Sequence, residues 1–279
     1  MSPSPDVTTS IIEEFRANEG RVGGPVDGTR LLLLTTTGAR SGAPHTVPLG
    51  YLPDGGERIL VIASAGGAPR HPAWFHNLVA HPRVTVEDGV FTYQAEAEVL
   101  RGPERDAAFA RAVESDPEWA RYQENTSRTI PVVALRELPG PPSWPSAGAG
   151  LRMVHDAFRR ELDLVRAEVT SAGTGLGVQL RMNCLTLCAG LGAHHRLEDE
   201  HLFPALRARH PELGAVLDRL DEEHERIAAA LTELRAVLDR TDLDRDELVE
   251  RVDQLTGEVL GHLDYEEETL IPVLDAHLS

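Results

Sequence analysis

The chain of 279 residues contains no lysine, since all 27 of its basic residues are arginine. Schiff-base chemistry and a P-loop lysine are thereby excluded. Its two cysteines, Cys184 and Cys188, are too few for a disulfide framework and fit a reducing compartment. Spaced by four, they share a helix face beside Leu185 and Leu187, as buried apolar thiols or as a redox pair. There is no run of about 18 apolar residues, and the opening MSPSPDVTTS lacks the basic and apolar regions of a signal peptide. The expectation is a soluble, cytoplasmic protein with no membrane partner. Positive charge is also scarce: 45 acids give a formal charge of −18, which argues against general affinity for nucleic acid or anionic membrane.

What is present is unevenly placed. Residues 1–140 hold 13 Arg against 18 acids, a net of −5, whereas residues 141–279 hold 14 against 27, a net of −13. Eight of the twelve histidines fall in the second part. Between the parts, PGPPSWPSAGAG (Pro139 to Gly150) is nearly all Pro, Gly, Ser and Ala, and reads as a linker. Two domains are therefore expected, residues 1–138 and 151–279, joined by residues 139–150.

In the first part, β-like runs alternate with Gly and Pro turns: Arg30 to Thr36, His45 to Leu52, Arg58 to Ala63, Val84 to Glu87, Phe91 to Leu100 and Ile130 to Arg136. Helical patterns cover Val7 to Ala17, Pro72 to Ala80 and Glu104 to Glu114. Many short strands with few helices predict a small antiparallel barrel. In the second part the period becomes 3.6, predicting helices over Leu151 to Thr170, Gln179 to Arg209, Pro211 to Leu238 and Leu243 to Ala276, an up-down four-helix bundle. The whole is a two-domain α+β chain.

The bundle half contains a repeat. HHRLEDEHLFPAL from His194 lies over HLDYEEETLIPVL from His262 at an offset of 68, and HDAFRRELDLVRAEV from His155 lies over HERIAAALTELRAVL from His224 at an offset of 69. Each half of the bundle thus holds one helix with a lone His and one with His-x-x-x-Glu, and the halves should face each other about a pseudo-twofold axis. Residues at i and i+4 share a helix face, so four imidazoles and two carboxylates can converge between the helices. That donor set suits iron or manganese, with two carboxylates able to bridge two ions and open positions left on each.

This pattern resembles the HHE cation-binding branch of the hemerythrin family over about 120 residues. The resemblance implies a non-haem di-iron centre of hemerythrin type, with two iron ions held by His155, His194, Glu198, His224, His262 and Glu266, and O2, peroxide or NO as partners. Oxygen-carrying hemerythrins use a further His where this chain has Ala228, so one ligand is missing or is replaced by His195, which favours peroxide, NO or redox chemistry over reversible O2 storage. His195, Asp199 and His201 otherwise read as solvated residues or as groups supporting the ligands. His210 and His277 read as exposed helix-end residues.

In the barrel half, TTTGARSGAPHTVPL from Thr35 and ASAGGAPRHPAWFHNL from Ala63 combine Gly turns, Arg and hydroxyls. Each is either an ordinary turn or an anion cradle. With the closing IPVVAL they resemble the deazaflavin-dependent nitroreductase family, split β-barrels that bind coenzyme F420. Carried over, Arg40, Ser41, Thr46, Val47 and Pro48 line the cofactor. Ser64, Gly66, Gly67 and Arg70 lie near its phosphate-bearing tail, and His71, Pro72, Trp74 and Asn77 complete the wall. Trp74 with Phe75 reads equally as core packing. Arg40 stands where Lys is common and His45 where Arg is common, which weakens the anion site.

The combined expectation is an F420-dependent oxidoreductase whose hydride chemistry on a small-molecule substrate is coupled to O2, peroxide or NO at the iron pair. Alternatives are a sensing or binding protein in which iron gates the reductase, or a quinone or nitro reductase beside an independent iron module. Tyr51, Tyr93 and Tyr122 read either as proton donors or as structural residues. Split barrels often pair, so a homodimer is the expected assembly.

Overall fold

The computed structural model describes residues 5–55, 58–89, 91–140, 144–172, 177–240 and 245–276. His277 and the expected start of the last helix at Leu243 lie outside them. The chain divides into two compact units, Met1–Pro141 with Gly177–Asn183, and Pro142–Leu176 with Cys184–Ser279.

In the first unit α1 (Pro5–Ala17) precedes β1 (Leu31–Thr37), β2 (Pro44–Pro53), β3 (Arg58–Ile62), α2 (Ala73–Ala80), β4 (Arg83–Asp88), β5 (Phe91–Val99), α3 (Gly102–Ser115), α4 (Glu118–Glu124) and β6 (Val132–Glu137). The strands form a closed antiparallel barrel in the order β1-β2-β3-β6-β5-β4. The run LLLLTTT in β1 is apolar without alternation because both of its faces are covered. Leu32 and Leu34 point into the barrel against Val61, Val86, Val133 and Leu135, whereas Leu31 and Leu33 meet Phe15 of α1 and Val22. In β3 Leu60 and Ile62 likewise turn outward onto Phe109 and Ala112 of α3. Proline is tolerated in β2 because that strand pairs with β3 only over Tyr51–Pro53, leaving the other edge of its first half outside the ladder.

Helix α4 was not legible in the sequence, since seven residues with no apolar period carry no signal. It packs on the tight turn Ala65–Gly67, where a Cβ on Gly67 would stand 2.7 Å from the Tyr122 carbonyl oxygen and 2.8 Å from Asn125 Cβ.

The helical part of the chain consists of α5 (Ala147–Ser171), α6 (Val178–Leu197, whose first six residues count with the first unit), a π-helical turn (Glu198–Leu202), α7 (Phe203–Arg209), α8 (Gly214–Leu238) and α9 (Arg245–Asp275). Helix α5 lies against α9, and α9 against α8. Residues 147–150, expected as linker, are the first turn of α5. The Ser146 hydroxyl caps that turn by accepting from the Ala149 amide at 3.0 Å, and the glycines admit close neighbours: a Cβ on Gly148 would meet Asp275 at 2.5 Å, and one on Gly150 the Trp144 ring at 2.9 Å. The single helix expected over Gln179–Arg209 is instead interrupted. A π turn lies immediately before Pro204, which has no N–H to give to the helical ladder. Among the described residues no helix is long and apolar enough to cross a membrane.

Because Gly67 sits at φ +79° as well as in contact with α4, Gly67→Ala is expected to destabilise the barrel unit by about 1–3 kcal/mol. A lowered urea midpoint with unchanged m would show it; an unchanged midpoint would refute the packing role.

Candidate metal centre and cofactor cradle

Each of the six ligand candidates in the bundle is delivered by helix periodicity. His194 and Glu198, and likewise His262 and Glu266, stand one turn apart on α6 with its π turn and on α9, while α5 brings His155 and α8 brings His224. The structure gathers all six. His155 Nε2 is 3.2 Å from His194 Nε2 and 3.4 Å from Glu266 Oε2. His224 Nε2 is 3.1 Å from His262 Nε2 and 3.7 Å from Glu198 Oε2. Glu198 Oε1 stands 3.3 Å from His194 Nε2, and Glu266 Oε2 3.6 Å from His262 Nε2, so each carboxylate spans from one imidazole pair to the other. His155, His194, Glu198 and Glu266 place one donor atom each within 4.8 Å of one another, as do His195, His224 and His262.

Three of the four imidazoles have a carboxylate on the outward ring nitrogen. His155 Nδ1 is 3.0 Å from Glu267, His224 Nδ1 2.6 Å from Asp199 and His262 Nδ1 3.0 Å from Glu223. A carboxylate only accepts, so each contact assigns the proton to Nδ1 and turns the Nε2 lone pair inward. These carboxylates are themselves held: Arg159 donates to Glu267 and Asp264 at 2.7 Å, and Arg219 to Glu223 at 2.8 Å. Glu267 and Asp199 each directly follow a candidate bridging glutamate, a relation the repeat implies but that geometry was needed to identify.

Glu198 and Glu266 are buried, and no hydrogen-bond donor satisfies either oxygen of either residue. An unsatisfied buried acceptor costs about 1–3 kcal/mol. Facing lone pairs and orphaned carboxylates are what a pair of cations would satisfy, so the residues present fit a two-metal site. The protonation equilibria of the metal-free cluster agree. Burial and the neighbouring Glu266 push the Glu198 carboxyl up to about 10. Burial lowers His194 to about 3, assisted by His155. His155 moves up because its hydrogen bond with Glu267 and the negative charges of Glu266 and Glu267 outweigh its burial.

The other residues singled out in this half separate cleanly. His195 is buried and stacked on His224, with ring centroids 4.1 Å apart at 13°. Asp199 supports His224, while His201 is exposed. His210, expected to be exposed, is half-buried with Nδ1 3.0 Å from Glu212. Cys184 and Cys188 are buried thiols outside any disulfide, and burial raises Cys188 to about 11 despite the opposing Arg235.

In the barrel unit the two glycine-rich segments meet through α2. Asn77 accepts from the Ala39 amide at 3.0 Å and donates to Thr36 Oγ1 at 3.1 Å, fastening the β1–β2 turn to the helix. Within that turn Ser41 Oγ and His45 Nε2 lie 3.4 Å apart over Gly38, and a Cβ there would collide with both. Arg40, Ser41 and Arg70 are exposed, and Thr46, Val47 and Pro48 are half-buried on β2. Ser64 caps the Ala65–Gly67 turn by accepting from Gly66 N, and Gly66 has φ +62°. Pro72 precedes α2 at its N-cap, and His71 packs on Phe75 with centroids 4.8 Å apart. Trp74 is buried in the barrel core beside Leu78.

Sequence reasoning missed Arg128. Its guanidinium donates to the carbonyls of Ala63, Ser64 and Ala68 and lies 3.0 Å from His71 Nδ1, tying down the whole second segment. A lone Arg in a polar stretch gave no signal of this. Burial, then the charge of Arg128, keeps His71 below the ordinary histidine range. Tyr51 donates to Asp88, and burial raises the hydroxyls of Tyr93 and Tyr122. In a chain of net charge −18, neither residues 35–50 nor residues 63–80 contain a single carboxylate. The donors there are Arg, His, Ser and backbone amides, a set that fits an anionic cofactor tail. A separate groove of about 670 Å³ between Thr35–Thr37 and Arg83–Glu96 is lined by none of the cofactor candidates.

Two family models match the chain: F420H(2)-dependent quinone reductase over residues 9–137, and hemerythrin HHE cation binding domain over residues 148–274. An F420H(2)-dependent quinone reductase of Mycobacterium tuberculosis is 38% identical over 138 residues, covering 43% of this chain and 83% of that protein. A solved F420-H2 dependent reductase is 40% identical, covering 38% of this chain and 94% of its own, with a TM-score of 0.36. A structure described as a domain-swapped dimer is 37% identical, covering 46% and 93%, with a TM-score of 0.38.

The raised Glu198 sets a pH dependence for the metal-free chain. A carboxyl whose folded pKa lies above its unfolded value contributes stability that is complete below the unfolded value and is lost as pH rises through the folded one, here from about 4.5 to about 10. Lowered His194 acts oppositely, but only below 6.5. Above pH 7 the helical melting temperature of the metal-free protein should therefore fall with pH, and Glu198→Gln should flatten the slope. A slope identical in the variant would refute the assignment.

Proposed function

Because the chain belongs to the F420H(2)-dependent quinone reductase family through its first half and carries a hemerythrin HHE cation-binding domain in its second, we propose that it is an F420H2-dependent quinone reductase joined to a non-haem di-iron centre. Reduced F420 would supply a hydride, and the iron pair one-electron redox chemistry toward O2, peroxide or NO. Arg40, Ser41, Arg70 and the amides of the two acid-free turns hold the anionic tail. Thr46, Val47, Pro48, His71, Pro72 and Asn77 set the ring wall, with Ser64, Gly66 and Gly67 shaping the second turn around Arg128. Trp74 acts from behind, as core that fixes α2.

In the bundle His155 and His194, and His224 with His262, would hold the iron pair together with Glu198 and Glu266, which lie between the two imidazole pairs. The observation that carries this is the set of four orphaned carboxylate oxygens facing four inward imidazole nitrogens. Glu267, Asp199 and Glu223 keep the Nδ1 protons in place so that ligation needs no tautomer change. A quinone joins the two chemistries: it takes a hydride and a proton together and, as quinol, releases electrons singly. One chain carrying both units supplies the effective concentration that such relay favours.

The test begins with anaerobic purification and iron analysis, expected to give two irons per chain. Reduced F420 with a trace of soluble naphthoquinone should then bleach the ferric absorbance. Bleaching that is absent although both irons are bound would sink the coupling while leaving each domain's chemistry intact. For the cradle, Arg40→Ala and Arg70→Ala should each weaken F420 binding about 10-fold, roughly one charge-assisted contact, as read by titration calorimetry. Unchanged affinity in both would remove these arginines from the site.

A further inference from the structure

We propose that a small exogenous ligand, of the size of azide or peroxide, reaches the metal pair through the groove between α6 and α8 and binds at the ion held by His224 and His262, with the His195 imidazole as its hydrogen-bonding partner. The proposal rests on the two-metal reading of the bundle.

The groove encloses about 780 Å³ and is lined by Gly192, His195, Asp199, His224, Ala228 and Arg235 among others. Two of its lining residues, His195 and His224, are buried members of the candidate metal cluster. Ala228 lies one turn beyond His224 on α8, and its methyl leaves open the space that a larger side chain at this position would fill.

His195 is the residue left unexplained by ligation. It is 4% exposed and its Nε2 has no hydrogen-bond partner. It stacks on His224 at 4.1 Å and 13°. Lone pairs lying in two nearly parallel ring planes do not converge on one ion at the usual metal–imidazole length of about 2.1 Å. A buried imidazole nitrogen beside the ion, free of ligation and without a partner, is placed to donate to or accept from a molecule bound there.

Two aromatic rings cover other faces of the candidate ligands. Phe203 covers the second face of His224, with centroids 5.2 Å apart at 18°. Phe158 lies over His194 at 5.3 Å on the side of the first imidazole pair, where His155 and Glu266 have no exposed surface and the His194 side chain is 13% exposed. The groove carries charges of both signs, and Asp199 and Asp221 are already engaged by His224 and Arg207. Selection would therefore follow size and the His195 contact rather than net charge.

The test is an azide titration of the iron-loaded full chain, followed by its charge-transfer absorbance. A Cβ on Gly192 meets nothing within 4 Å, so Gly192→Leu should fold and fill the groove, and Ala228→Phe should do the same from α8. Both are expected to keep two irons and to lower azide affinity or its on-rate at least about 10-fold. His195→Ala should keep the iron and weaken azide by a similar factor, and Phe158→Ala should leave azide binding as in the wild type. Wild-type azide binding in both groove-filling variants, faster binding in Phe158→Ala, loss of iron in His195→Ala, or no azide response in the iron-loaded wild type would each overturn the proposal. A wild-type chain that takes up no iron would instead overturn the two-metal reading beneath it.

Discussion

The centre of the bundle is organised around buried carboxylate oxygens that have nothing to accept from. Four imidazole nitrogens and four carboxylate oxygens are turned inward by four helices, and all of these side chains but that of His194 are buried. Ordinary cores pair such groups with hydrogen-bond donors. Here the donors have been taken elsewhere, since Glu267, Asp199 and Glu223 bind the Nδ1 protons from outside. Positive charge must come from a bound cation or, in its absence, from protons retained on Glu198 and His155. The helix lengths, the π turn and the outer arginines all serve to hold that arrangement.

The pseudo-twofold symmetry is not complete. Asp199 and Glu267 are equivalent under the repeat and perform the same task for His224 and His155. Glu223, which supports His262, falls over Val154 in the other half, so His194 lacks the corresponding carboxylate on α5. Ligating imidazoles become more basic when a carboxylate accepts from their second nitrogen. The two halves of the centre thus differ in the donor strength they offer, although their ligand types are the same.

The barrel unit solves a different problem, that of keeping two anion-seeking turns in place on an acidic protein. Acid is absent from both segments. Asn77 fixes one turn and Arg128 the other, each by hydrogen bonds to backbone groups. Gly67 is small because α4 lies against it, so a glycine that reads as a close approach to a ligand is explained first by a close approach of the chain to itself.

Periodicity and repetition made much of this visible before any coordinates. The six strands appear within two residues of their expected ends because alternation and Gly or Pro turns are local signals. The six ligand candidates were legible because i, i+4 spacing places side chains on one face whatever the surroundings, and because the repeat displayed that spacing twice. What the sequence could not decide was which polar groups find partners. The orphaned oxygens of Glu198 and Glu266, the stacking of His195 on His224, the hold of Arg128 on residues 63–71 and the helical start of α5 each depend on atoms distant in the chain. Local pattern determines which residues share a face; only tertiary packing determines whether that face is satisfied, and the unsatisfied faces are where a ligand binds.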